Sequence, residues 1–548
     1  MSSFELTGQI IDLHARRIHP GRVRVVDGII AEIVEDDGVK SPSFVLPGFV
    51  DAHVHIESSM LLPSEFARVA VLHGTVATVS DPHEIANVLG VEGVRAMIDN
   101  GAQTPFRFAF GAPSCVPATG FETAGATLGV EDVEELLRDE RIFYLSEMMN
   151  YPGVIGDDPT VLAKIAAAHR LGKPVDGHAP GVRGADLQKY IAAGISTDHE
   201  SFTFEEGKEK LERGMRLLIR EGSAARNFEA LHPLLSHYPD ACMFCSDDKH
   251  PDQLIVGHIN RLVRRALAEG HDLITVLRAA CVAPVEHYGL PVGLLRVGDR
   301  ADMIEVEDLE TMEVVRTWIG GALVAERGAS FIPSTPIPMI NAFHSRVVAV
   351  DELRVPCDRD EVMLNVIGAI DGQIVTDARE MRGRVVDGAL VADAGRDLAK
   401  IAVVNRYADA PVAVAFITGT GLTGGALASS VAHDSHNIVA VGVDDEQLCR
   451  AINLIMENRG GLAVVDGNEE KVLPLPVAGL MSDRDPWNVA AAYSLLDTMA
   501  KERLGTTLSA PFMTLSFMAL LVIPSLKLSD KGLFDGRSFA FCPVVLGE

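Results

Sequence analysis

Short apolar runs alternate with amphipathic stretches between residues 47 and 284. The apolar runs have the length and near-continuous hydrophobicity of buried parallel strands. The stretches between them, such as DPTVLAKIAAAHRLG and GADLQKYIAAG, have helical periodicity and end in Gly. The predicted strands are residues 48–55, 75–81, 106–112, 141–147, 173–178, 195–199, 215–220 and 241–247. This alternation predicts an α/β fold whose centre is a (β/α)8 TIM-like barrel.

The segments on either side of the barrel have the sequence pattern of β-strands. GRVRVVDGIIAEIV alternates apolar and polar positions around a turn at Asp27-Gly28, and a similar strand pattern occurs again after residue 285. We therefore predict one small β-sandwich domain, split between residues 1–46 and 285–329, around a barrel of residues 47–284. A proline-containing stretch then leads to residues 340–548, for which we predict a C-terminal α/β domain.

Composition and charge narrow the class of protein. The chain has 76 acidic and 48 basic residues, a formal net charge of −28, which argues against nucleic acid or an anionic membrane as partners. Its seven scattered cysteines do not suggest a disulfide framework, so a reducing compartment is expected. The first residues lack the apolar core of a signal peptide, and FMALLVIPSL is about half of a membrane span. We expect a cytoplasmic protein with no membrane partner.

Polar side chains end several of the predicted strands. His53 and His55 finish the first strand on one face, because residues two apart in a strand point to the same side. The carboxyl ends of barrel strands are where active sites are built, so later strand ends should converge with this pair. The complete set of candidate metal ligands is His53, His55, Glu147, His178, His199 and Asp247. Six such donors suit two divalent ions about 3.5–4 Å apart, with Mn²⁺ or Fe²⁺ favoured and Zn²⁺ as an alternative.

This ligand pattern resembles the amidohydrolase superfamily, although Glu147 stands where many binuclear members carry a carbamylated lysine. Longer stretches resemble the bacterial adenine deaminases: HVHIESSM, DPHEIANVLG, DGHAPG, TDHES, SDDKHPDQLIVGHIN, AHDSHN, GLMSD and KLSDKGLFD. The resemblance covers almost the whole chain. One departure is Asn260, where the family is expected to carry Asp.

The resemblance implies a metal-dependent hydrolysis of adenine to hypoxanthine and ammonia. Glu147 would bridge two metal ions. The other ligands would divide between the ions, with His53, His55 and Asp247 on one and His178 and His199 on the other. Asp247 would also act as a catalytic residue, by accepting a proton from the attacking water and passing it to the departing amino group.

A carboxylic acid should protonate N1 of the purine as C6 becomes tetrahedral. Glu57 is the first candidate, because it shares a face with the two histidines if strand geometry persists; its alternative role is a cap at the strand end. Glu84 is the second candidate, and its alternative role is a favourable charge at a helix N-terminus. Asp81 and His83 occupy the same strand end as Glu84, where they would shape the pocket, support the ligands or cap the following helix.

Two other functions stay open at this point. A cyclic amide hydrolase of the hydantoinase or dihydroorotase type would use the same metal ligands. A non-catalytic binding protein would need a broken ligand set, whereas the set here is complete. In either hydrolase, the substrate is a small molecule. We also expect a homo-oligomer, because most soluble oligomeric proteins are homo-oligomers.

Three further motifs carry weaker hypotheses. GTGLTG at residues 419–424 matches a dinucleotide-binding pattern, but we interpret it as a Gly-rich turn because a poor helix follows it. His433, Asp434 and His436 could hold a metal or reach the barrel mouth; an ordinary hydrogen-bonded loop is the preferred prediction. CMFC at residues 242–245 should pack in the barrel wall.

Overall fold

A barrel of parallel strands forms the centre of the protein, in a computed structural model that describes residues 3–336 and 338–547. Its strands follow one another in chain order and are hydrogen-bonded in groups of five and three. A backbone bridge between Val54 and Asp247 joins the first strand to the last. Barrel strands 1 to 8 are Phe49–Val54, Thr75–Ser80, Arg107–Ala112, Ile142–Met148, Val175–Gly177, Thr197–Asp198, Arg216–Arg220 and Cys242–Cys245. The predicted TIM-like barrel is therefore confirmed.

Helices surround the barrel with one apolar face inwards. The helix Ile259–Ala268 buries Leu262, Val263 and Ala266 and exposes Arg264, as expected for an amphipathic helix on a barrel wall. The principal barrel helices are Pro63–Ala70, His83–Gly101, Val130–Arg138, Pro159–Arg170, Gly184–Ala192, Phe204–Glu212, Ile259–Ala268 and Ala283–Tyr288. Among the described residues, no helix has the length and apolar content needed to cross a bilayer.

Strands from both sides of the barrel share one sheet. The strand Phe44–Pro47 joins the two groups, because it pairs in parallel with Phe4–Asp12 and antiparallel with Met303–Val306. The predicted turn at Asp27-Gly28 separates two of its strands. In spatial order the sheet contains Ala329–Ser330, Ala322–Glu326, Val314–Ile319, Met303–Val306, Phe44–Pro47, Phe4–Asp12, Arg17–Val26 and Ile29–Glu35. The flanking β segments thus pack together.

The C-terminal residues build a second large sheet. Its strands, in spatial order, are Asp377–Arg382, Met363–Gly368, Ala413–Thr418, Ala399–Val404, Ile438–Gly442, Ala426–Ser429, Gly461–Asp466 and Glu469–Pro474. The helix Asp445–Asn458 packs on one face, with Leu448, Ile452 and Ile455 fully buried. Two further helices, Pro486–Glu502 and Pro511–Phe517, follow the sheet. Two small antiparallel sheets complete the unit: Val355–Pro356, Ala389–Val391 and Arg384–Val386, and Leu526–Ser529, Gly532–Asp535 and Ala540–Phe541.

The Gly-rich and Cys-x-x-Cys motifs are both structural. The amide groups of Gly419 and Gly421 donate to the carboxylate of Asp397, at 2.6 and 2.9 Å. A side chain of this protein therefore occupies the amides that a dinucleotide phosphate would need. Cys242 and Cys245 are fully buried within barrel strand 8, where they pack in the wall.

Candidate metal centre and active site

Glu147 lies between two pairs of histidines at the carboxyl end of the barrel. Its Oε1 is 3.3 Å from Nε2 of His55 and 4.0 Å from Nε2 of His53. Its Oε2 is 2.6 Å from Nδ1 of His178 and 3.2 Å from Nε2 of His199. None of these residues is more than 5% exposed. One carboxylate thus presents a separate oxygen to each pair, as a bridging ligand would.

Asp247 completes the cluster on the side of barrel strand 1. Its amide donates to the carbonyl of His53 at 2.9 Å, so the last strand is tied to the first beside the histidines. Its Oδ1 lies 3.6 Å from Nε2 of His53 and 3.3 Å from Nε2 of His55. Asp247 has a φ of 52°, a left-handed conformation that Asp tolerates better than most residues. The backbone therefore aims this carboxylate at the histidine pair.

The chemistry of the donors fits divalent metal ions. Nδ1 of His55 is 3.2 Å from the carbonyl oxygen of Asp81; it donates there and leaves the Nε2 lone pair facing the cluster. Ligand atoms of His53, His55 and Asp247 all lie within 4.8 Å of one another, and so do those of His53, Glu147 and His199. The six predicted ligands, brought together here, could hold two ions.

Arg220 and Glu200 belong to the same cluster, and the sequence analysis missed both. Arg220, at the end of barrel strand 7, donates to Oδ2 of Asp247 at 2.6 Å and to Oε2 of Glu200 at 2.8 Å. Burial acts to raise the pKa of Asp247, but the charge of Arg220 holds it well below its usual value. Arg220 is a polar residue at the end of an apolar strand. The candidate ligands were identified by the same kind of position, so this signal could have identified Arg220 as well.

Glu84 is held by two histidines of the C-terminal unit. Its carboxylate oxygens contact Nδ1 of His433 and Nε2 of His436. Burial acts to raise the pKa of Glu84, but the nearby imidazoles hold it well below its usual value. Burial likewise opposes the charge on His433, yet Glu84 and Asp248 raise the pKa of that imidazole to about 9. The preferred prediction of an ordinary loop is wrong, because both histidines reach the barrel mouth.

Glu57 does not share the face of the two strand-1 histidines. The strand ends at Val54, and a short 3₁₀ turn, Ile56–Ser59, rotates the chain by about 120° per residue instead of alternating it. Oε1 of Glu57 accepts from the amide of Ile85 at 3.2 Å, and the side chain is not part of the cavity wall. Burial raises its pKa to about 7. Glu57 was predicted to face the histidines only if the strand continued as far as residue 57. The strand ends before that residue, so this prediction is wrong.

A cavity above the cluster has polar and apolar walls. His83 and Glu84 line it on the polar side, with Nδ1 of His83 3.5 Å from Oε1 of Glu147. Phe517, from the C-terminal unit, stacks on His433 with ring centroids 4.9 Å apart. The apolar walls are formed by Met149, Ile374, Phe517 and Leu520. These walls offer apolar packing surfaces and hydrogen-bonding groups to a bound molecule.

Comparison with known proteins agrees with this architecture. The amidohydrolase family matches residues 44–324, and the adenine deaminase C-terminal domain matches residues 373–540. An adenine deaminase of Salinibacter ruber is 58% identical over 543 residues, 98% of each chain. An adenine deaminase of Methanosarcina acetivorans is 52% identical over 550 residues, 99% of each chain. The chain belongs to the amidohydrolase family and, within it, to the adenine deaminases.

The family assignment confirms the resemblance seen in the sequence motifs. Among solved structures, the β-aspartyl dipeptidase of Fervidobacterium islandicum is similar with 16% identity and a TM-score of 0.46, over 60% of this chain and 98% of that one. The C-terminal family domain contains Ile374, Phe517 and both histidines that contact Glu84. In this adenine deaminase family member, the domain thus forms part of the candidate active site.

Proposed function

We propose that this protein catalyses the hydrolytic deamination of adenine to hypoxanthine and ammonia. One observation carries the proposal. The cluster of strand-end ligands lies at the base of a cavity, and part of the wall of this cavity comes from the adenine deaminase C-terminal domain. The near full-length match to adenine deaminases supports the same substrate. A cyclic amide hydrolase would explain the ligands but not this wall.

Two divalent ions are the proposed cofactors, Mn²⁺ or Fe²⁺ by preference and Zn²⁺ as the alternative. Glu147 would contact both ions. The other ligands would divide as the resemblance implies, with His53, His55 and Asp247 on one side and His178 and His199 on the other. The nearness of one Glu147 oxygen to each histidine pair supports this division. When bound, such ions lower the pKa of water to about 7 and so supply a nucleophile at neutral pH.

Asp247 is the proposed proton carrier. Its Oδ1 faces the ligand cluster, and its Oδ2 is held by Arg220, so the carboxylate is ionised and oriented before substrate binds. It accepts a proton from the attacking water as the bond to C6 forms. It then gives that proton to the amino nitrogen, so that the C6–N bond breaks and ammonia leaves. The second proton of the water is released from O6 as the C6=O bond forms, which balances the proton that N1 takes up.

The Glu84–His433 pair is the proposed proton donor to N1. The two side chains face the cavity in direct contact and are charged oppositely, so the pair can give up a proton at its cavity edge. Glu57 becomes the second candidate, because it lies behind the wall. Phe517, Ile374 and Leu520 would pack on the purine ring and keep bulk water away.

The remaining expectations are proposals of the same kind. We propose three domains: residues 1–46 with 285–329 as a split β-sandwich, 47–284 as the barrel, and 340–548 as the C-terminal domain. Support comes from the shared sheet of the outer segments and from the separate C-terminal sheet. A cytoplasmic location and a homo-oligomeric state complete the proposal, and adenine is the small-molecule partner.

Reconstitution of the metal-free protein tests the function. Apo-protein is titrated with Mn²⁺, Fe²⁺ or Zn²⁺, and conversion of adenine to hypoxanthine is followed by absorbance and by ammonia release. Activity should reach its maximum at two equivalents of metal. Parallel assays with hydantoin and dihydroorotate test the alternative. Ring opening of these compounds, without ammonia release from adenine, would contradict the proposal.

A further inference from the structure

A second cleft of about 780 Å³ opens outside the barrel, away from the candidate active site. It lies between the loops that follow barrel strands 7 and 8 and the helix Ile259–Ala268. Its volume is in the range of small-molecule sites. Five cationic side chains line it, in a protein that carries 76 acidic and 48 basic residues: Arg226, Lys249, Arg261, Arg264 and Arg265.

Four of these cations have no carboxylate partner among the described residues. Arg265 is neutralised by Glu221, 2.7 Å away. Arg226 donates only to the carbonyls of Gly222 and Ser223, each at 3.1 Å. The structure shows no ion pair for Lys249, Arg261 or Arg264 within its described ranges. Asp252 and Glu310 also line the cleft, but neither pairs with any of the four.

Lys249 is the strongest element of the cleft. It is only 8% exposed, yet its ammonium makes a single long hydrogen bond, 3.4 Å to the carbonyl of Glu221. An ammonium carries three donors, and burying a cation without an anion is costly. The carboxylates of Glu221 and Asp51 favour its charge, and the smaller effects of Arg226 and Arg261 oppose it. None of the described carboxylates lies within ion-pair distance of the ammonium. The arrangement therefore favours the entry of an anion.

We propose that this cleft binds the phosphate group of a small metabolite. Phosphate is the anion that several cations recognise best, because Arg offers a planar pair of donors and Lys a compact charge. The cleft also lies behind the loop that carries Asp247 and Asp248. The amide of Ser223 donates to the carbonyl of Asp248 at 2.7 Å, which links the wall of the cleft to that loop. A bound phosphate thus contacts the outer side of the segment whose inner side faces the metal centre.

Calorimetric titration of the metal-loaded, full-length protein tests the proposal. The probes are inorganic phosphate, ribose 5-phosphate and ribose, at fixed ionic strength in chloride buffer. Arg261→Ala removes an exposed cation of the cleft, and Lys249→Met removes the buried one. Lys208→Met is the matched control, because it removes the same charge from an exposed lysine outside the cleft, 3.7 Å from Glu212.

Either phosphate compound should bind, and each cleft variant should weaken binding by about tenfold or more. Lys208→Met should leave the affinity unchanged, and ribose should not bind. Equal affinities for the two phosphates indicate a site for the phosphate group alone, whereas tighter ribose 5-phosphate indicates a sugar phosphate. The proposal is overturned if neither compound binds at millimolar concentration. It is also overturned if Arg261→Ala binds phosphate like the parent, because the phosphate then sits on the metal ions. This readout is independent of deaminase activity.

Discussion

The carboxylate of Glu84 accepts a hydrogen bond from Nε2 of His436 across 352 residues of sequence. Glu84 lies in the first turn of the helix after barrel strand 2, whereas His436 belongs to the C-terminal family domain. Nδ1 of His436 accepts from the amide of Ala432 at 3.2 Å, so Nε2 carries the proton that reaches Glu84. The C-terminal domain therefore sets the position and charge of a barrel carboxylate.

Replacement of Glu84 and Glu57 separates the two candidates for the N1 proton donor. We expect Glu84→Gln to lower kcat for adenine by about 10²–10⁴, the range for loss of a general acid. Glu57→Gln, matched in chemistry and burial, should lower it by less than about tenfold, because that side chain lies behind the cavity wall. Steady-state kinetics of both variants, with metal content measured, decide the matter. The reverse order of effects would return the role to Glu57.

The contact with His436 can be removed without touching the carboxylate. We expect His436→Phe to lower kcat by about tenfold or more while KM changes less, because Glu84 then loses a donor that orients it. His344→Phe is the control, since that histidine is an exposed residue of the same unit. A parent-like kcat in His436→Phe would show that the contact does not orient Glu84 for catalysis.

Glu147→Gln tests the bridging ligand. An amide cannot supply two anionic oxygens, so we expect the variant to retain no more than one equivalent of metal. Elemental analysis of the purified protein measures this. Glu140→Gln, an exposed residue just before the same strand, should keep two equivalents. Two equivalents in Glu147→Gln would contradict a bridging role.

Asp247→Asn tests the proton carrier. Asn tolerates the left-handed backbone at this position, so the fold should be preserved. The amide cannot take a proton from water, and turnover should fall by at least about 10³-fold. Circular dichroism checks the fold, and the adenine assay checks turnover. Near-normal activity would remove Asp247 from the proton transfer.

Lys210→Met tests a buried ion cluster beside the candidate metal ligands. The Lys210 ammonium donates to Oδ2 of Asp198 at 2.9 Å and to Oε1 of Glu206 at 2.8 Å, with all three side chains buried. Removing the cation leaves two buried carboxylates unpaired, so we expect the free energy of unfolding to fall by about 3–5 kcal/mol. Urea unfolding at pH 7 measures this. Lys208→Met, on the exposed side of the same helix, should change it by less than about 0.5 kcal/mol.

The loss of stability in Lys210→Met should depend on pH. Burial acts to raise the pKa of Asp198, but the charge of Lys210 lowers it to about 2. The folded pKa is thus below the unfolded value of about 3.9. The stabilisation, about 2–3 kcal/mol, is therefore complete above pH 4 and is lost as the pH falls towards 2. The stability difference between parent and Lys210→Met, both freed of metal, should shrink over that interval. A difference that stays constant would exclude the pairing as its cause.

The local pattern of apolar and polar residues was sufficient to predict much of this fold. All eight predicted barrel strands are present, because buried parallel strands need continuous apolar runs that are visible in the sequence. The sequence pattern gave a wrong prediction for Glu57, because the alternation of side chains in a strand was assumed to continue past the residue at which the strand ends. It also failed at His433 and His436, whose polar surroundings resemble those of a surface loop although both are buried.

The sequence by itself determined the barrel and the six candidate ligands, since parallel strands in a barrel bring their carboxyl ends to one face. Only the tertiary structure decided that Arg220 holds Asp247, that the C-terminal domain holds Glu84, and that Lys249 forms no ion pair with any described carboxylate. The physical reason is that pairing between charged groups depends on distances across the folded chain. No local periodicity records those distances.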